Sequence, residues 1–465
     1  MADRQNIIVL MTDQHRGDCL SCAGHPHVQT PNLDRIASEG LRFSNAYSNC
    51  PVCMPARASF MTGLYPHNHG QWVNGDRIDD RLETYPQYLQ RAGYHTCHVG
   101  KSHMYRHTDE LHMDEMKPFM HALGWDEVVE TTGPWATLRC RSVMTDRWEE
   151  LGCYEIFIED YQRRREVGGV KATWPSPMPR GETLDDFVGR TACEYISSYE
   201  RQKPLLLFVG FGGPHSPWDP PQDWADMYDP DEMEANKPPA EPGPWVPPPA
   251  AEHQRRMEND SLGITPEDNG KIRALYYAKI SHIDSWIGEI LDALQDRQML
   301  DSSTLLFWSD HGEMLGDHGR LSKSVFYEES AHVPLIIRPA GYDTPGAVCD
   351  RLVSQIDCVP TMLEVAGCEE KPQQFGRSLM PLLDDPQAEH KPAVFSEIDH
   401  RVMIRTDRYK FILSSEGQPL KLYDIHNDPD ERCNLVGRGN TQSIIADLRD
   451  RVLNWMVSTQ LRNTQ

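Results

Sequence analysis

The chain has 465 residues, with 46 Lys and Arg against 70 Asp and Glu and a formal net charge of −24. That balance excludes an overall basic footprint for nucleic acid or an anionic membrane surface, and no stretch reaches the roughly 18 uninterrupted apolar residues of a membrane span. Hydrophobic content of 39% and charged content of 25% suit a globular chain with a large core. Any attraction for an anionic substrate has to come from a local basic cluster, because the global field is mildly repulsive.

Met1-Ala2-Asp3-Arg4-Gln5-Asn6 runs straight into a short apolar segment with no charged region or long apolar region before it, which predicts a cytoplasmic protein. Residues 6–12 are an apolar run suited to a strand buried on both faces of a parallel sheet, ending in Asp13-Gln14-His15-Arg16-Gly17-Asp18. Polar residues at the carboxyl end of such a strand stand where open α/β sheets bind ligands, although pattern alone favours a solvated loop. Residues 30–40 read as a helix, with Thr30 at the start, Pro31 in the first turn and Gly40 at the stop.

An extended segment follows, and then Cys53-Met54-Pro55-Ala56-Arg57, where Pro55 fits the first turn of a helix. If Cys53 caps that helix, Arg57 lies one turn along on the same face. First-turn N–H groups, the positive dipole end and a guanidinium then converge on a potential nucleophile. His67 and His69 read as loop residues, and Asn74 as a polar contact to a bound anion. A helix at 85–92 and a strand at 94–99 lead into Gly100-Lys101-Ser102-His103, a cluster that fits an oxyanion or leaving-group contact.

Residues 104–180 are polar and tryptophan-containing, and predict irregular insertions around a pocket mouth, with Arg163-Arg164-Arg165 on a solvated helix face. An amphipathic helix at 183–202 precedes a buried strand at 204–209, which exits at Gly212-Gly213-Pro214-His215-Ser216-Pro217. Dense prolines from 214 to 250, including Pro247-Pro248-Pro249, predict a long surface loop. The helical period at 270–300 is core packing. Residues 303–308 form another buried strand, ending in Ser309-Asp310-His311-Gly312-Glu313, with Lys323 beyond; a strand at 333–338 and a helix at 357–366 follow. From about 385 the texture changes to short strands at 394–397, 402–405, 409–413 and 421–423 and a terminal helix at 441–456. The expected architecture is α/β: a large mixed, mostly parallel sheet flanked by helices over residues 1–384, and a smaller antiparallel α+β subdomain over 385–465.

Twelve cysteines include the pairs Cys19/Cys22 and Cys50/Cys53 at CxxC spacing, so a four-cysteine zinc site has to be weighed. Pro51 inside the second pair and the lack of Gly-rich knuckles count against it. The remaining cysteines read as reduced core residues.

Cys53-Met54-Pro55-Ala56-Arg57, followed by Ala58-Ser59-Phe60-Met61-Thr62-Gly63, resembles the Cys-x-Pro-x-Arg signature of type I sulfatases, in the alkaline phosphatase superfamily. Thr30-Pro31-Asn32-Leu33-Asp34, Gly100-Lys101-Ser102-His103, Pro214-His215-Ser216-Pro217, Lys323 and Leu422-Tyr423-Asp424 with Asn427-Asp428-Pro429-Asp430-Glu431 resemble further family segments, in the family's order and over nearly the whole chain. The resemblance implies an alkaline phosphatase-like fold in which a separate formylglycine-generating enzyme oxidises Cys53 to formylglycine. It also implies one divalent cation held by Asp13, Gln14, Asp310, His311 and residue 53. Gln14 and His311 resemble the choline sulfatase and phosphonate monoester hydrolase branches. Oxygen donors favour calcium, and the imidazole keeps manganese in play, with magnesium a further alternative.

The activity implied is hydrolysis of a sulfate monoester to an alcohol and inorganic sulfate. One hydroxyl of the hydrated aldehyde attacks sulfur and the other collapses to release sulfate. Arg57, Lys101 and Lys323 neutralise the transferring group, and His103 or His215 protonates the leaving oxygen. The alternatives are a phosphonate monoester or phosphodiester hydrolase, favoured by Gln14 and His311 but disfavoured by His103, a non-catalytic binding relative, and a zinc protein using the CxxC pairs. Aryl, choline-like and sugar sulfates all fit as small-molecule or carbohydrate substrates, and a homo-oligomer is compatible with the sequence.

Overall fold

The apolar runs become the centre of one sheet. The computed structural model describes residues 4–75, 77–109, 111–200, 202–239, 264–341, 346–369 and 373–461. Its strands are β1 (Asn6–Asp13), β2 (Leu41–Phe43), β3 (Ala46–Tyr47), β4 (His95–Lys101), β5 (Glu127–Thr131), β6 (Leu205–Pro214) and β7 (Ser303–Ser309). They continue with β8 (Leu335–Arg338), β9 (Ala347–Cys349), β10 (Val353–Ser354), β11 (Ala393–Ile398), β12 (Arg401–Thr406), β13 (Tyr409–Leu413) and β14 (Pro419–Asp424). Eight of them form a sheet in the order β5-β4-β6-β1-β7-β8-β2-β9. It is parallel from β5 through β7, and β8 runs antiparallel to both of its neighbours.

Strand β1 shows why this sheet has two covered faces. Ile7, Val9 and Met11 enter one apolar cluster with Phe60, Leu89 and Met362, while Ile8 and Leu10 enter another with Val188, Ile287 and Leu291. Successive side chains point to opposite faces, so a strand apolar at every position needs helices on both sides. The predicted helix at 270–300 runs Pro266–Asp296 instead, opened by a Thr265/Asp268 capping box.

Three expectations are corrected. The 104–180 stretch holds regular structure: β5, at the edge of the sheet, and the helices Val143–Glu150 and Tyr154–Glu166. As Glu-Val-Val-Glu-Thr, β5 is too short and too polar to show as a strand. Arg164 is fully buried rather than solvated, with Nε donating to Asp160 Oδ2 at 2.6 Å and Nη2 to the carbonyls of Trp174 and Pro175 at 2.9 and 3.0 Å. Thr30 does not cap the helix Pro31–Ser38; the Asp284 carboxylate accepts from Asn32 N and Leu33 N at 3.0 and 2.8 Å. Residues 240–250 of the proline-rich loop, including Pro247-Pro248-Pro249, and the following 251–263 lie outside the described residues.

The C-terminal strands form a four-stranded antiparallel sheet in the order β11-β12-β13-β14, with the helix Gln442–Ser458 packed through Leu448, Val452 and Trp455. A buried ion network joins it to the larger sheet: Lys410 on β13 donates to Phe326 O at 2.8 Å and to Glu431 at 2.8 Å, and also meets Glu328.

Asp357 performs a similar service near the seam. Its carboxylate accepts from Ser354 N at 2.8 Å and Arg377 N at 2.7 Å and pairs with Lys391. Burial raises its pKa, but Lys391 and His390 outweigh burial and hold the carboxyl at about 2. A depressed acid stabilises the fold above its unfolded pKa and loses that contribution as pH falls through the folded value. We expect about 2 kcal/mol of stability to be present above pH of about 4 and lost between about 4 and about 2. Asp357→Asn should lower the melting temperature at neutral pH and flatten the acid limb of a melting-temperature-against-pH profile.

Candidate active site

Four adjacent parallel strands, β4, β6, β1 and β7, end side by side and deliver Lys101, His215, Asp13 and the Asp310-His311 pair to one edge. Open α/β sheets bind ligands at this edge because the loops diverge there. Gly100 and Gly210, paired across β4 and β6, allow the approach: a Cβ on Gly100, which has φ 94°, would sit 2.1 Å from Gly210 O.

The helix Cys53–Thr62 starts at the same edge, with Val52 extended before it and every helical side chain buried. Cys53 is its first residue. Asn74 is exposed, and its side-chain oxygen accepts from Met54 N at 2.9 Å, so it satisfies a first-turn N–H group directly.

Arg57 lies one turn on and is 2% exposed. Its Nε donates to Asp310 Oδ2 and Nη2 to Asp13 Oδ2, both at 2.9 Å, and Nη1 donates to Lys101 O at 2.7 Å. Lys101 Nζ also meets Asp13. The guanidinium therefore stands between two fully buried carboxylates that would otherwise repel each other. Asp13 is held well below the usual carboxylate range: burial and the Cys53 thiolate push it up, and Lys101, His215 and Arg57 outweigh them.

His311 Nδ1 lies 3.0 Å from Gly312 O, which places a proton on that nitrogen and leaves the Nε2 lone pair turned inward. Nε2 is 3.1 Å from Cys53 Sγ, and Asp13 Oδ1 is 4.0 Å from the same sulfur. Among the described residues, Asp13, Cys53, Asp310 and His311 are the only group of three or more such donors that converges, with one ligand atom from each lying within 4.8 Å of the others. Two carboxylates and an inward-facing imidazole nitrogen fit a divalent cation. Gln14 stands at the edge of this group. Its φ is 71°, its N–H donates to Asp310 Oδ1 at 3.0 Å, and its side-chain amide spans Glu313 and Lys323.

Lys323 Nζ is 2.7 Å from His215 Nε2, and His215 Nδ1 is 2.6 Å from Ser216 O, so Nδ1 donates and Nε2 accepts from the ammonium. His103, at φ 54°, stacks on His107 with ring centroids 5.1 Å apart. His103 and His215 both lie within electrostatic range of the Cys53 thiol. Burial alone would raise the thiol's pKa; Lys323, His311 and Lys101 outweigh it and hold Cys53 well below its ordinary value. Burial first, with Lys323 second, keeps His215 low, while Asp310 and Cys53 raise His311 against burial.

All of the nominated residues meet at this edge of the sheet. Sequence reasoning missed the groups that hold them. Glu313, fully buried, receives the Gln14 amide and accepts from Leu315 N at 3.0 Å. Ser48 Oγ and Gln355 Nε2 both donate to Asp310 O at 2.6 Å. Lys279 fixes the His215 loop through the carbonyls of His215 and Pro217, each at 3.0 Å. Glu313 stood in the Asp310 segment and could have been nominated; Ser48, Gln355 and Lys279 carried no local signal. The CxxC pairs do not assemble a zinc site: Cys19 packs with Val28 and Tyr276, and Cys50 with Val52 and Phe326 in a separate cluster.

A helix N-terminus, a converging donor group and several cations around one side chain are an arrangement chemically suited to a tetrahedral oxyanion. Comparison with known proteins narrows the class. A sequence model of the Sulfatase family matches residues 5–368, and one described as N-sulphoglucosamine sulphohydrolase, C-terminal, matches 316–458. An arylsulfatase of Clostridium perfringens is 30% identical, covering 96% of this chain and 93% of its own length. A choline-sulfatase of Rhizobium meliloti is 29% identical, covering 97% and 87%. The solved phosphonate monoester hydrolase of Agrobacterium radiobacter superposes with a TM-score of 0.80 at 25% identity, covering 98% of this chain and 96% of that one. The chain belongs to the sulfatase family of the alkaline phosphatase superfamily and is a sulfuric ester hydrolase. Among the described residues no helix is long and apolar enough to cross a membrane.

Proposed function

We propose that this sulfatase hydrolyses a sulfate monoester with formylglycine, made from Cys53 by a formylglycine-generating enzyme, as its nucleophile. The observation carrying the reading is the position of Cys53 itself: first residue of a buried helix, 3.1 Å from His311 Nε2, with its pKa pulled down by surrounding cations. A divalent cation held by Asp13, Asp310, His311 and residue 53, with Gln14 beside them, would supply Lewis acidity at the sulfate; calcium is the first choice, with manganese or magnesium the alternatives. Hydrated, the aldehyde offers two hydroxyls on one carbon. One bonds to sulfur as the alcohol departs; loss of the proton from the other reforms the aldehyde and expels sulfate.

The remaining work falls to the chain's own side chains. Arg57 bridges Asp13 and Asp310 and offsets their mutual repulsion. Lys101 and Lys323 face the transferring group and offset the charge that builds on its oxygens. The proton shared between Lys323 Nζ and His215 Nε2 stands ready for the leaving oxygen, with His103 across the thiol as the second donor. Aryl and choline-like esters are the first substrates to assay, given the relatives' activities.

A second reading, phosphonate monoester hydrolysis on the same scaffold, draws on the Agrobacterium radiobacter likeness and on Gln14 and His311. Rates on a sulfate and a phosphonate ester of one leaving group separate the two. The primary test is mass spectrometry of the tryptic peptide 43–57 from protein co-produced with a formylglycine-generating enzyme, followed by assay on 4-nitrophenyl sulfate. Aldehyde at position 53 with turnover is the expected result. Unmodified Cys53 and no turnover, despite a competent maturing enzyme, overturn it.

A further inference from the structure

Strand β12 presents two arginines on one face. Arg401, Met403 and Arg405 alternate with Val402 and Ile404, so they share the side turned towards the larger sheet. Met403 is fully buried there among Tyr47, Cys50, Val52 and Phe326. Arg405 is satisfied, with Nε on Tyr47 OH at 3.1 Å and Nη1 on Asp407 O at 2.8 Å. Arg401, nearer the hairpin tip, is half-buried and makes no hydrogen bond or ion pair with the described residues. Asp399 at the tip, the Cys50 thiol and Arg320 lie within electrostatic range of it; burial pushes its pKa down, and Asp399 and the thiol act against burial.

The tip packs on the loop that leads to Cys53. Asp399 and His400, the two turn residues, have φ of 49° and 61°, a conformation for which Asn-Gly is the usual choice. His400 instead packs its ring 4.1 Å from Trp72, and the loop bearing Trp72 also carries Asn74, the residue bonded to Met54 N beside Cys53. On the other side Ser324 N donates to Pro51 O at 3.1 Å, which ties the Arg320–Lys323 segment to the Cys50–Cys53 stretch. An aromatic ring, an imidazole and a guanidinium without a hydrogen bond to the described residues thus lie near the Cys50–Cys53 stretch, on a protein of net charge −24 whose acidic residues would otherwise repel a multiply charged ester.

We infer that Arg401, beside Trp72 and His400, recognises a second negative charge on the organic half of the substrate, so that the preferred ester is a ring-bearing alcohol sulfate that also carries a carboxylate or a further sulfate. This rests on the sulfate-ester reading above and specifies its substrate. A planar guanidinium suits either group because both present paired oxygens.

The test uses full-length protein with position 53 confirmed as formylglycine and three aryl sulfates: unsubstituted 4-nitrophenyl sulfate, the same ester with a ring carboxylate, and the corresponding bis-sulfate. Wild type should favour at least one of the doubly charged esters by about 10-fold or more in kcat/KM, and whichever is faster identifies the recognised group. Arg401→Met should reduce that preference about 10- to 100-fold, chiefly through KM, and Arg401→Lys should reduce it less. Arg180→Met, at a side chain 91% exposed, should leave the preference unchanged. Melting curves check folding, and should Arg401→Met fail to fold, the lysine variant carries the comparison. Equal rates on all three esters, or a preference unmoved in folded Arg401 variants, overturn the inference. Turnover of none of the three, with choline sulfate turned over, overturns this inference and leaves the sulfate-ester reading standing; turnover of none of the four overturns the formylglycine sulfate-ester reading, and this one with it.

Discussion

Cys53→Ala is expected to reduce kcat/KM on any sulfate ester by about 10⁴-fold or more, the scale on which removal of a covalent nucleophile acts. Residue 53 is where the first turn of the Cys53–Thr62 helix, His311 Nε2, Asp13, Lys101 and Lys323 converge, and alanine leaves this arrangement with nothing to attack sulfur. The fold should survive. The helix is held by burial of all its side chains and by Arg57, not by the thiol. Circular dichroism and melting curves close to wild type would therefore accompany the lost activity. Cys53→Ser separates attack from release: a serine could accept the sulfuryl group but has no second hydroxyl on the same carbon with which to expel it, so turnover should stall at the ester. Activity of Cys53→Ala near that of wild type would refute the nucleophile assignment.

Arg57→Leu carries the second large effect, and it falls on stability as well as rate. Asp13 and Asp310, both fully buried, each lose a 2.9 Å charge-assisted hydrogen bond, and the Lys101 carbonyl loses its donor. Breaking one side of a buried ion pair costs about 3–5 kcal/mol, much of it the penalty of leaving the other charge uncompensated. Lys101 still reaches Asp13, so Asp310 is the more exposed to this loss. A divalent cation between the carboxylates would replace part of the missing charge. Added calcium should therefore raise the melting temperature of Arg57→Leu more than that of wild type, with a chelator as the baseline and a fixed scan rate for both proteins. An equal calcium shift in the two proteins would count against Asp13 and Asp310 as cation ligands. Arg57→Lys should fall between, since an ammonium keeps the charge but cannot hold both carboxylates and the carbonyl in one plane.

The central strands β1, β6 and β7 were legible in the sequence because burial on both faces removes alternation and leaves continuous apolar runs. The polar residues at their carboxyl ends were legible for the same reason, as abrupt breaks in those runs. The C-terminal sheet was readable from turn residues between short β-branched and aromatic segments, its strands extending one or two residues beyond expectation at several ends. Strand β5 was not readable, since two glutamates in five residues leave little apolar pattern, and only the fold supplies Ser102 and Tyr105 as donors to the buried Glu130. Thr30 looked like a helix cap by local rule, and only the approach of the Pro266–Asp296 helix makes Asp284 the group that serves.

Local sequence thus determined which residue types stand at each strand end and that Cys53 opens a helix, because strand length, apolar run and proline position act within a few residues. Tertiary structure alone decided their working arrangement. Arg57 finds its carboxylates at positions 13 and 310, Gln14 meets Glu313 and Lys323, and Arg401 remains uncommitted while Arg405 on the same face is paired. Such pairings depend on how distant strands stack in the sheet, and the choice of partner for a buried charge follows from which groups that stacking leaves within hydrogen-bond reach.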